Sequence, residues 1–461
     1  MQRLWGEAYR IGRWRRVWLA LAESERALGL EIPEAALVAM RSHLDDADLD
    51  AAHAFEKRFR HDVMAHVHAF GEQAAEARPY LHLGATSAFV TDNADMLIMR
   101  DSLALLLGRL LGLVATLRSF ATAHAATPCL AYTHFQPAQL TTVGKRATLW
   151  MQDFAMDIEA AVHRLEHLRL RGCKGTTGTQ ASFLELFAGD HDKVRELERR
   201  IATALGTADV FAVTGQTYPR KADAQILDVL SGIAQSAAKF ATDLRLLQHE
   251  GELLEPFERE QIGSSAMAYK RNPMRAERIC ALARHVISLQ ANGAHTAAAQ
   301  WLERTLDDSA NRRLTLPEAF LAVDAILLLC ANIAGGLEVR EPAIARHVAE
   351  QMPFMATERW LMLGVQAGGD RQALHEVVRR HSLAVHEAVA AGGPNDLMDR
   401  LAADAAFAAI DQATLAAELD PSRYTGRSRE QVSEFLAEFL DPLVRKATPL
   451  AATAEPAEVR V

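Results

Sequence analysis

One stretch of the sequence combines hydroxyl, small and cationic side chains in a pattern that could carry chemistry. Residues 263–273 read GSSAMAYKRNP, with two adjacent serines that include Ser264, followed by Lys270 and Asn272. Pro273 can open a helix, and apolar residues recur behind it at helical spacing. We therefore predict a polar loop at a helix N-terminus, where N–H groups and the helix dipole favour anions. A basic surface loop is the simpler interpretation of these residues alone.

A second polar segment holds an arginine, a histidine and an aspartate in succession. Arg60, His61 and Asp62 are followed by His66 and His68. A histidine held by a neighbouring carboxylate, beside an arginine, is suited to binding an anion. A metal site is disfavoured, because His61 and His66 are five residues apart, which is poor spacing for one helical face. A solvated helix face remains the alternative.

Two loops place polar residues next to predicted helices. Residues 133–139 read THFQPAQ, and because Pro137 fits a helix start, His134 would lie at the mouth of a long helix. There it could be a structural residue or a general acid. Residues 174–180 read KGTTGTQ, which lacks the spacing of a P-loop but could offer backbone N–H groups to an anion.

A fourth segment, residues 303–313, gathers three arginines in the sequence ERTLDDSANRR. Arg304, Arg312 and Arg313, together with Ser309 and an asparagine, could hold a phosphate through charge-assisted, partly bidentate hydrogen bonds. An exposed run of charges is the alternative interpretation.

The composition indicates a soluble protein with more than one domain. The 461 residues are too many for one compact core, and 49% of them are hydrophobic. The net charge of −9 gives no basic field for nucleic acid. The four cysteines lie far apart and are interpreted as thiols in a reducing compartment. Because no signal peptide is evident and the longest apolar stretch, residues 320–337, suits a buried helix, we expect a cytoplasmic protein without membrane contact.

The helices that must position these residues are indicated by heptad spacing. Apolar residues alternate steps of three and four over residues 96–120 and again over residues 226–247. Such seams pack helices at about 20° and predict a bundle of long helices. Apolar residues beside the seam, such as Leu107 and Leu111, need more than one neighbouring helix, which favours packing between subunits.

Taken in order, these segments resemble the fumarase/aspartase superfamily. Within it, four blocks resemble the adenylosuccinate lyase family of animals: GSSAMxYKRNPM, THFQPAQLTTVGKR, KGTTGTQASF and ERTLDDSANRR. The resemblance runs from about residue 14 into the 440s. Because several long blocks follow one another in the same order, the resemblance favours the functional interpretation of all these segments together.

The resemblance implies an all-α fold of three domains, with a long central helical bundle shared in a homotetramer and active sites formed between subunits. We place the domains at residues 1–86, 87–339 and 340–461. The resemblance also implies a carbon–nitrogen lyase that cleaves adenylosuccinate to AMP and fumarate, and SAICAR to AICAR and fumarate, without metal or organic cofactor. Another lyase of the superfamily, such as argininosuccinate lyase, and a non-catalytic helical scaffold are the alternatives.

Roles for individual residues also follow from the resemblance. It implies Ser264 as the general base, His134 as the general acid, Lys270 as a source of charge stabilisation, and His61 as a further catalytic residue. The other matched residues are implied to bind the substrate: Arg60, Asp62, Thr86, Ser87, Gln216, Asn272, Arg278, Arg304, Ser309 and Arg313.

One position departs from the family pattern. Where the family has a proline after the methionine of the GSSAM block, this chain has Ala268. The loss of proline makes the open loop more flexible by about 0.4–1 kcal/mol. We therefore expect weaker loop closure and lower turnover than a proline would give.

Overall fold

The chain folds almost entirely into helices, which confirms the predicted fold class: it is 69% helical with 4% strand. The computed structural model describes residues 1–207 and 209–453, so the last residues of the predicted C-terminal domain, 454–461, lie outside the described residues. The described α-helices are α1 Glu7–Ala27, α2 Glu34–Ser42, α3 Leu49–Phe59, α4 Asp62–Gln73, α5 Ser87–Ala123, α6 Val143–Glu166, α7 Ala181–Leu186, α8 His191–Ala204, α9 Lys221–His249, α10 Met274–Ala298, α11 Asp308–Gly335, α12 Glu341–Met355, α13 Thr357–Gln366, α14 Arg371–Ala390, α15 Leu397–Ala403, α16 Gln412–Ala417, α17 Ser428–Glu434 and α18 Asp441–Ala447.

Four short strands form two antiparallel pairs in the described part of the chain. Strands β1, Pro128–Thr133, and β2, Gln136–Thr142, make a hairpin, and β3, Leu253–Leu254, pairs with β4, Glu338–Val339. The hairpin corrects the prediction that a helix starts at Pro137. Pro137 lies inside β2, where a two-stranded hairpin tolerates a missing N–H, and α6 begins only at Val143.

Side-chain acceptors mark where several helices begin. Asp48, Asp190 and Asp370 each accept a backbone N–H in the first turn of the helix that follows. Thr142 does the same for α6, with its hydroxyl 3.1 Å from the N–H of Lys145. These residues satisfy N–H groups that a helix start otherwise leaves unpaired, typically worth about 1 kcal/mol each.

The long helices α5, α9 and α11 all start at the same end of the bundle. Arg220, just before α9, pairs with Asp92 near the start of α5 (3.2 Å) and with Asp308 at the start of α11 (2.6 Å). Helix α6 runs the other way, because Trp150 near its start donates to Asp243 near the end of α9 (2.7 Å). We call the end where α5 starts the first end and the end where α6 starts the second end.

Helix α10 also starts at the second end. Gln290, late in α10, donates to Asp228, early in α9 (2.7 Å), while Cys280, early in α10, lies beside Thr242, late in α9 (3.7 Å). Because α5 has 37 residues and an α-helix rises 1.5 Å per residue, the two ends are about 55 Å apart.

Buried apolar residues form one continuous cluster through the N-terminal helices and the bundle, and a smaller cluster lies between Ala356 and Leu415. Helices α17 and α18 return to pack on α6. The division into domains at 1–86, 87–339 and 340–461 remains our proposal.

Helices α5 and α11 are long and apolar enough to cross a membrane by length and composition alone. In the structure they pack on each other within the bundle, and Arg109 pairs with Asp324 between them (2.5 Å). Most of the stretch at residues 320–337 lies in α11, as predicted, and its core-facing residues, such as Phe320, Leu327 and Ile333, are buried, whereas Gly335 and Gly336 are exposed. Packing inside the bundle therefore accounts for the apolar character of both helices.

Candidate active site

The loop that carries Ser264 presents two backbone N–H groups to the serine hydroxyl. Ser264 Oγ accepts hydrogen bonds from the N–H of Ala266 (3.3 Å) and of Met267 (3.1 Å). N–H groups that point at an oxygen stabilise negative charge on it. The loop therefore places two donors on Ser264 Oγ that would stabilise negative charge there.

The two sides of this loop are held together. Asn272 Nδ2 donates to the carbonyl oxygen of Gly263 (2.8 Å). A Cβ at Gly263 would lie 2.1 Å from the carbonyl oxygen of Lys270, so only glycine permits this approach. Asn272, predicted to bind substrate, thus uses its amide to close the loop.

The start of α10, predicted to attract an anion, is already occupied by a carboxylate of the protein. Glu255 accepts the backbone N–H of Arg275 and of Ala276, each at 3.1 Å. Helix α10 begins at Met274, directly after Pro273, as predicted, but Glu255 already occupies the N–H groups of Arg275 and Ala276. The exposed cations beside it, Lys270 and Arg278, have no ion-pair partner among the described residues.

His134 lies at the tip of the β1–β2 hairpin. His134 and Phe135 both adopt left-handed backbone conformations, with φ of +53° and +56°, and both are exposed. Thr133 pairs with Gln136, so these two residues form a two-residue hairpin loop, and positive φ at both positions is what the type I′ turn of such a loop requires. The histidine projects from a fixed hairpin, as a residue that meets a ligand would.

At the first end, the sequence-predicted residues do come together. His61 caps α4: its Nδ1 accepts the N–H of Met64 (3.3 Å), and its Nε2 faces Ser87 Oγ at 3.4 Å. Asp62 pairs with Arg313 at the start of α11 (3.4 Å). Residues from α4, α5 and α11, far apart in sequence, therefore form one cluster.

Two predicted residues of this cluster keep their polar groups free of partners within the described chain. Arg60 ends α3 in a left-handed conformation (φ +56°) and is exposed, and its guanidinium has no described partner. Thr86 precedes α5 without using its side chain as a cap. Both can therefore offer hydrogen bonds to a ligand.

A cavity of about 170 Å³ adjoins the cluster, and Arg304, Ser309 and Arg313 line it together. Arg10 and Trp14 of α1 line the same cavity, and neither was among the predicted site residues. The missed signal was the amphipathic pattern of α1, which places Arg10 one helical turn before Trp14 on the same face.

The carboxylates of the cavity are paired within the protein. Arg220 binds Asp92 and Asp308, and Arg312 binds Asp223 (2.6 Å) and Asp95 (3.0 Å). Arg312, included above as a possible phosphate ligand, is therefore buried in ion pairs. This pairing leaves Arg10, Arg304 and Arg313 as the cations that face the cavity, which suits an anion such as phosphate.

Gln216 lies at the same end. Its backbone N–H donates to the carbonyl oxygen of Glu303 (2.9 Å), and its carbonyl accepts Arg171 Nε (2.6 Å). The loop at 174–180 packs beside it, and Lys174 is buried in an ion pair with Glu198 (2.8 Å). Lys174 is therefore a structural residue, while the Gln216 side chain is half-buried.

The remaining histidines of the first end are packed against aromatic rings. Burial lowers the pKa of His66 to about 4, and its ring lies edge-on to Trp14 (5.4 Å). Burial also lowers the pKa of His82 to about 4, and its Nδ1 accepts Trp18 Nε1 (2.9 Å). The ring of His68 contacts that of Phe59 at a tilt of 44° (4.7 Å). Within residues 1–207 and 209–453, no group of three His, Cys, Asp or Glu side chains is placed to hold a metal.

The predicted site residues thus fall into two groups at opposite ends of one subunit. The first end has Arg60, His61, Asp62, Thr86, Ser87, Gln216, Arg304, Ser309 and Arg313. The second end has His134, Ser264, Lys270, Asn272 and Arg278. The ends are separated by the length of α5, about 55 Å, so the two groups lie tens of ångströms apart within one subunit.

Comparison with known proteins gives two family matches. A family described as "Lyase" matches residues 19–288, and one described as "Adenylosuccinate lyase C-terminus" matches residues 353–435. The chain is similar to the adenylosuccinate lyase of Saccharomyces cerevisiae, with 49% identity over 93% of this chain and 89% of the relative. It is similar to that of Schistosoma mansoni, with 46% identity over 95% of this chain and 92% of the relative.

Solved structures share the fold at lower identity. The 3-carboxy-cis,cis-muconate lactonizing enzyme of Pseudomonas putida matches with a TM-score of 0.81 and 24% identity, covering 98% of this chain and 97% of that one. A fumarate lyase of Mesorhizobium sp. BNC1 matches with a TM-score of 0.79 and 23% identity, covering 96% and 97%. These two likenesses concern the fold alone.

Proposed function

This chain belongs to the adenylosuccinate lyase family and is a carbon–nitrogen lyase, and we propose how its residues release fumarate from adenylosuccinate, giving AMP, and from SAICAR, giving AICAR. The family predicted from the sequence blocks is confirmed by the relatives at 46–49% identity and by the C-terminal family match. The single observation that carries the proposed mechanism is the Ser264 hydroxyl, which accepts two backbone N–H groups inside a closed loop.

The reaction is a β-elimination, in which a base removes the proton from Cβ of the succinyl group and the C–N bond then breaks. Ser264 is the base. Its alkoxide is stabilised by the N–H groups of Ala266 and Met267, with Lys270 supplying positive charge. The same donors stabilise the doubly charged carboxylate that forms when the proton leaves.

The leaving nitrogen requires a proton as the bond breaks, and His134 supplies it. Its place on the exposed tip of a rigid hairpin supports this role, because the imidazole can enter a site formed by another subunit. The nitrogen then leaves as an uncharged amino group of AMP or AICAR, and fumarate remains.

The first end holds the substrate. The cations of the cavity, Arg304, Arg313 and Arg10, together with Ser309, bind the phosphate. The cluster of Arg60, His61, Asp62, Thr86 and Ser87 orients the succinyl group, and Gln216 contacts the substrate nearby. His61 donates from Nε2, since its Nδ1 is committed to capping α4.

A homotetramer completes the site. One subunit presents substrate-binding residues and acid–base residues about 55 Å apart, so copies must pack side by side in opposite directions to join them. Large apolar side chains exposed on the bundle helices support such packing, including Leu149, Met156, Ile287 and Leu314. We propose that this tetramer acts in the cytoplasm, without metal or organic cofactor.

Fumarate release tests the function. Pure protein is incubated separately with adenylosuccinate, SAICAR and argininosuccinate, and fumarate is measured. We expect fumarate from both purine substrates and none from argininosuccinate. Fumarate from argininosuccinate alone would assign the related lyase, and no fumarate from any of the three would favour the non-catalytic scaffold.

A further inference from the structure

A buried carboxylate lies between the hairpin that carries His134 and the segment that leads to Ser264. Glu252 has no exposed surface and precedes β3 directly. Its N–H donates to the carbonyl oxygen of Leu247 (3.0 Å), and its carbonyl accepts the N–H of Arg340 (2.8 Å). The backbone of Glu252 is therefore fixed on both sides.

Three side chains from three different elements face this carboxylate. Tyr132 of β1 donates its hydroxyl to Glu252 Oε1 (3.4 Å), and His347 Nδ1 of α12 lies 3.0 Å from the same oxygen. Arg146 of α6 places Nη1 3.8 Å from Oε2. Burial, followed by the charge of Glu252, raises the pKa of Tyr132, so its hydroxyl remains a donor.

The hairpin is shaped to bring Tyr132 to Glu252. The pairing of β1 with β2 shifts register between Ala131 and Tyr132, and such a bulge redirects the side chain that follows it. Arg146 also donates to the carbonyl oxygen of Leu130 in the same strand. Glu252, through Tyr132, and Arg146, through Leu130, therefore both anchor strand β1 of the hairpin.

Tyr132 lies next to the tip of the hairpin, two residues before His134. Its ring lies 5.7 Å from the ring of Phe135, the neighbour of His134. His134 itself makes no side-chain hydrogen bond within the described chain, and the tip is exposed. The orientation of the imidazole therefore depends on the hairpin, and the position of the hairpin depends on the anchors at Leu130 and Tyr132.

We propose that Glu252 is a positioning residue: through its contact with Tyr132 it fixes the position of the general acid His134. This inference rests on the proposed function, which makes His134 the acid. Glu252 does not touch the substrate. It fixes where the hairpin presents the imidazole to the leaving nitrogen, and proton abstraction by Ser264 does not depend on it.

The test separates the two proton transfers. Glu252→Gln and Tyr132→Phe are assayed with adenylosuccinate in D₂O, and fumarate release is compared with deuterium incorporation at Cβ of unreacted substrate. We expect each variant to lower kcat for elimination about 3- to 10-fold, the range for one lost hydrogen bond, with KM nearly unchanged. We also expect the ratio of exchange to elimination to rise, because the base still works while the acid is misplaced.

Matched controls exclude a general loss of structure. Tyr9→Phe removes another tyrosine hydrogen bond, to Asp101 (2.7 Å) between α1 and α5 and away from the hairpin, and should leave the ratio unchanged. In the double variant of Glu252 and Tyr132, kcat for elimination should fall no further than in the weaker of the two single variants, because both residues act through one contact.

Two results would overturn the inference without touching the proposed function: Tyr132→Phe with wild-type elimination, or variants whose exchange-to-elimination ratio is no higher than that of the wild type. A wild-type protein that releases no fumarate would instead contradict the proposed function.

Discussion

Asn272 donates from Nδ2 to the carbonyl oxygen of Gly263 across 2.8 Å, and this contact closes the loop around Ser264. Asn272→Ala should lower kcat about fivefold, since one hydrogen bond of this kind contributes about 1 kcal/mol. The melting temperature should hardly change, because the loop is largely exposed. Gln261→Ala removes a different hydrogen bond of the same segment, to the N–H of Glu258, and serves as the control. Equal kcat losses in both variants would contradict a specific role for Asn272.

The role of Ser264 can be separated from that of its neighbour. Ser264→Ala should lower kcat by at least about 10²-fold while substrate still binds, because the variant lacks the base. Ser265→Ala is the matched control, since its hydroxyl is exposed and has no hydrogen-bond partner among the described residues. Steady-state kinetics and calorimetry with adenylosuccinate measure both effects. Normal turnover by Ser264→Ala would place the base elsewhere.

Ala268 occupies a position that suits proline. The N–H of Lys270 donates to the carbonyl oxygen of Met267 (3.0 Å), which makes Ala268 the second residue of a β-turn. Ala268→Pro should stabilise the closed loop by about 0.4–1 kcal/mol and raise kcat about two- to fivefold. Ala266→Pro should instead lower kcat, because it removes an N–H that Ser264 accepts. Limited proteolysis of the loop and kcat are measured together, and no change in either for Ala268→Pro would refute the expectation.

Mixed assemblies test the sharing of sites. His61→Ala removes a residue of the first end and Ser264→Ala removes one of the second end, so each variant alone should be inactive or nearly so. If sites join opposite ends of different subunits, refolding the two variants together creates some sites with both ends intact. Activity should return to a measurable fraction of wild type. A mixture no more active than its components would mean that each subunit forms its own site.

A buried glutamate outside the site makes stability depend on pH. Burial raises the pKa of Glu25 to about 9, and neither carboxylate oxygen has a hydrogen-bond partner in the described structure. The unfolded chain loses this proton near its ordinary pKa of 4.5, whereas the folded chain keeps it, so the free energy of unfolding falls as pH rises from about 5 to 9. The slope from this group is at most about 1.4 kcal/mol per pH unit.

Glu25→Gln should flatten that pH dependence, as measured by denaturant unfolding at pH 5 and pH 8 at one protein concentration. Glu23→Gln, at a partly exposed residue that pairs with Arg41, should keep the wild-type slope. Identical slopes in wild type and Glu25→Gln would show that Glu25 is ionised in the folded protein, or that it does not contribute to the pH dependence of the free energy of unfolding.

Much of the helical architecture could be predicted because it depends on periodicity. Heptad steps over residues 96–120 and 226–247 give the core faces of α5 and α9, which the structure buries as expected. The hairpin at 128–142 could not be predicted from Pro137 alone, because proline suits both a helix start and an edge strand. Pairing with β1, which directly precedes it in the chain, decided between them.

For the candidate site, too, some features could be predicted from the sequence and others only from the structure. The sequence by itself determined the family, through blocks of residues whose order and identity are specific, and with it the residue types that an elimination needs. Only the tertiary structure decided what each polar group does: Asn272 closes a loop, Arg312 is consumed in ion pairs, Glu255 fills the start of α10, and Arg10 joins a cavity. Hydrogen bonds and ion pairs join residues distant in the chain, so their partners are set by helix direction and packing, which local sequence does not encode.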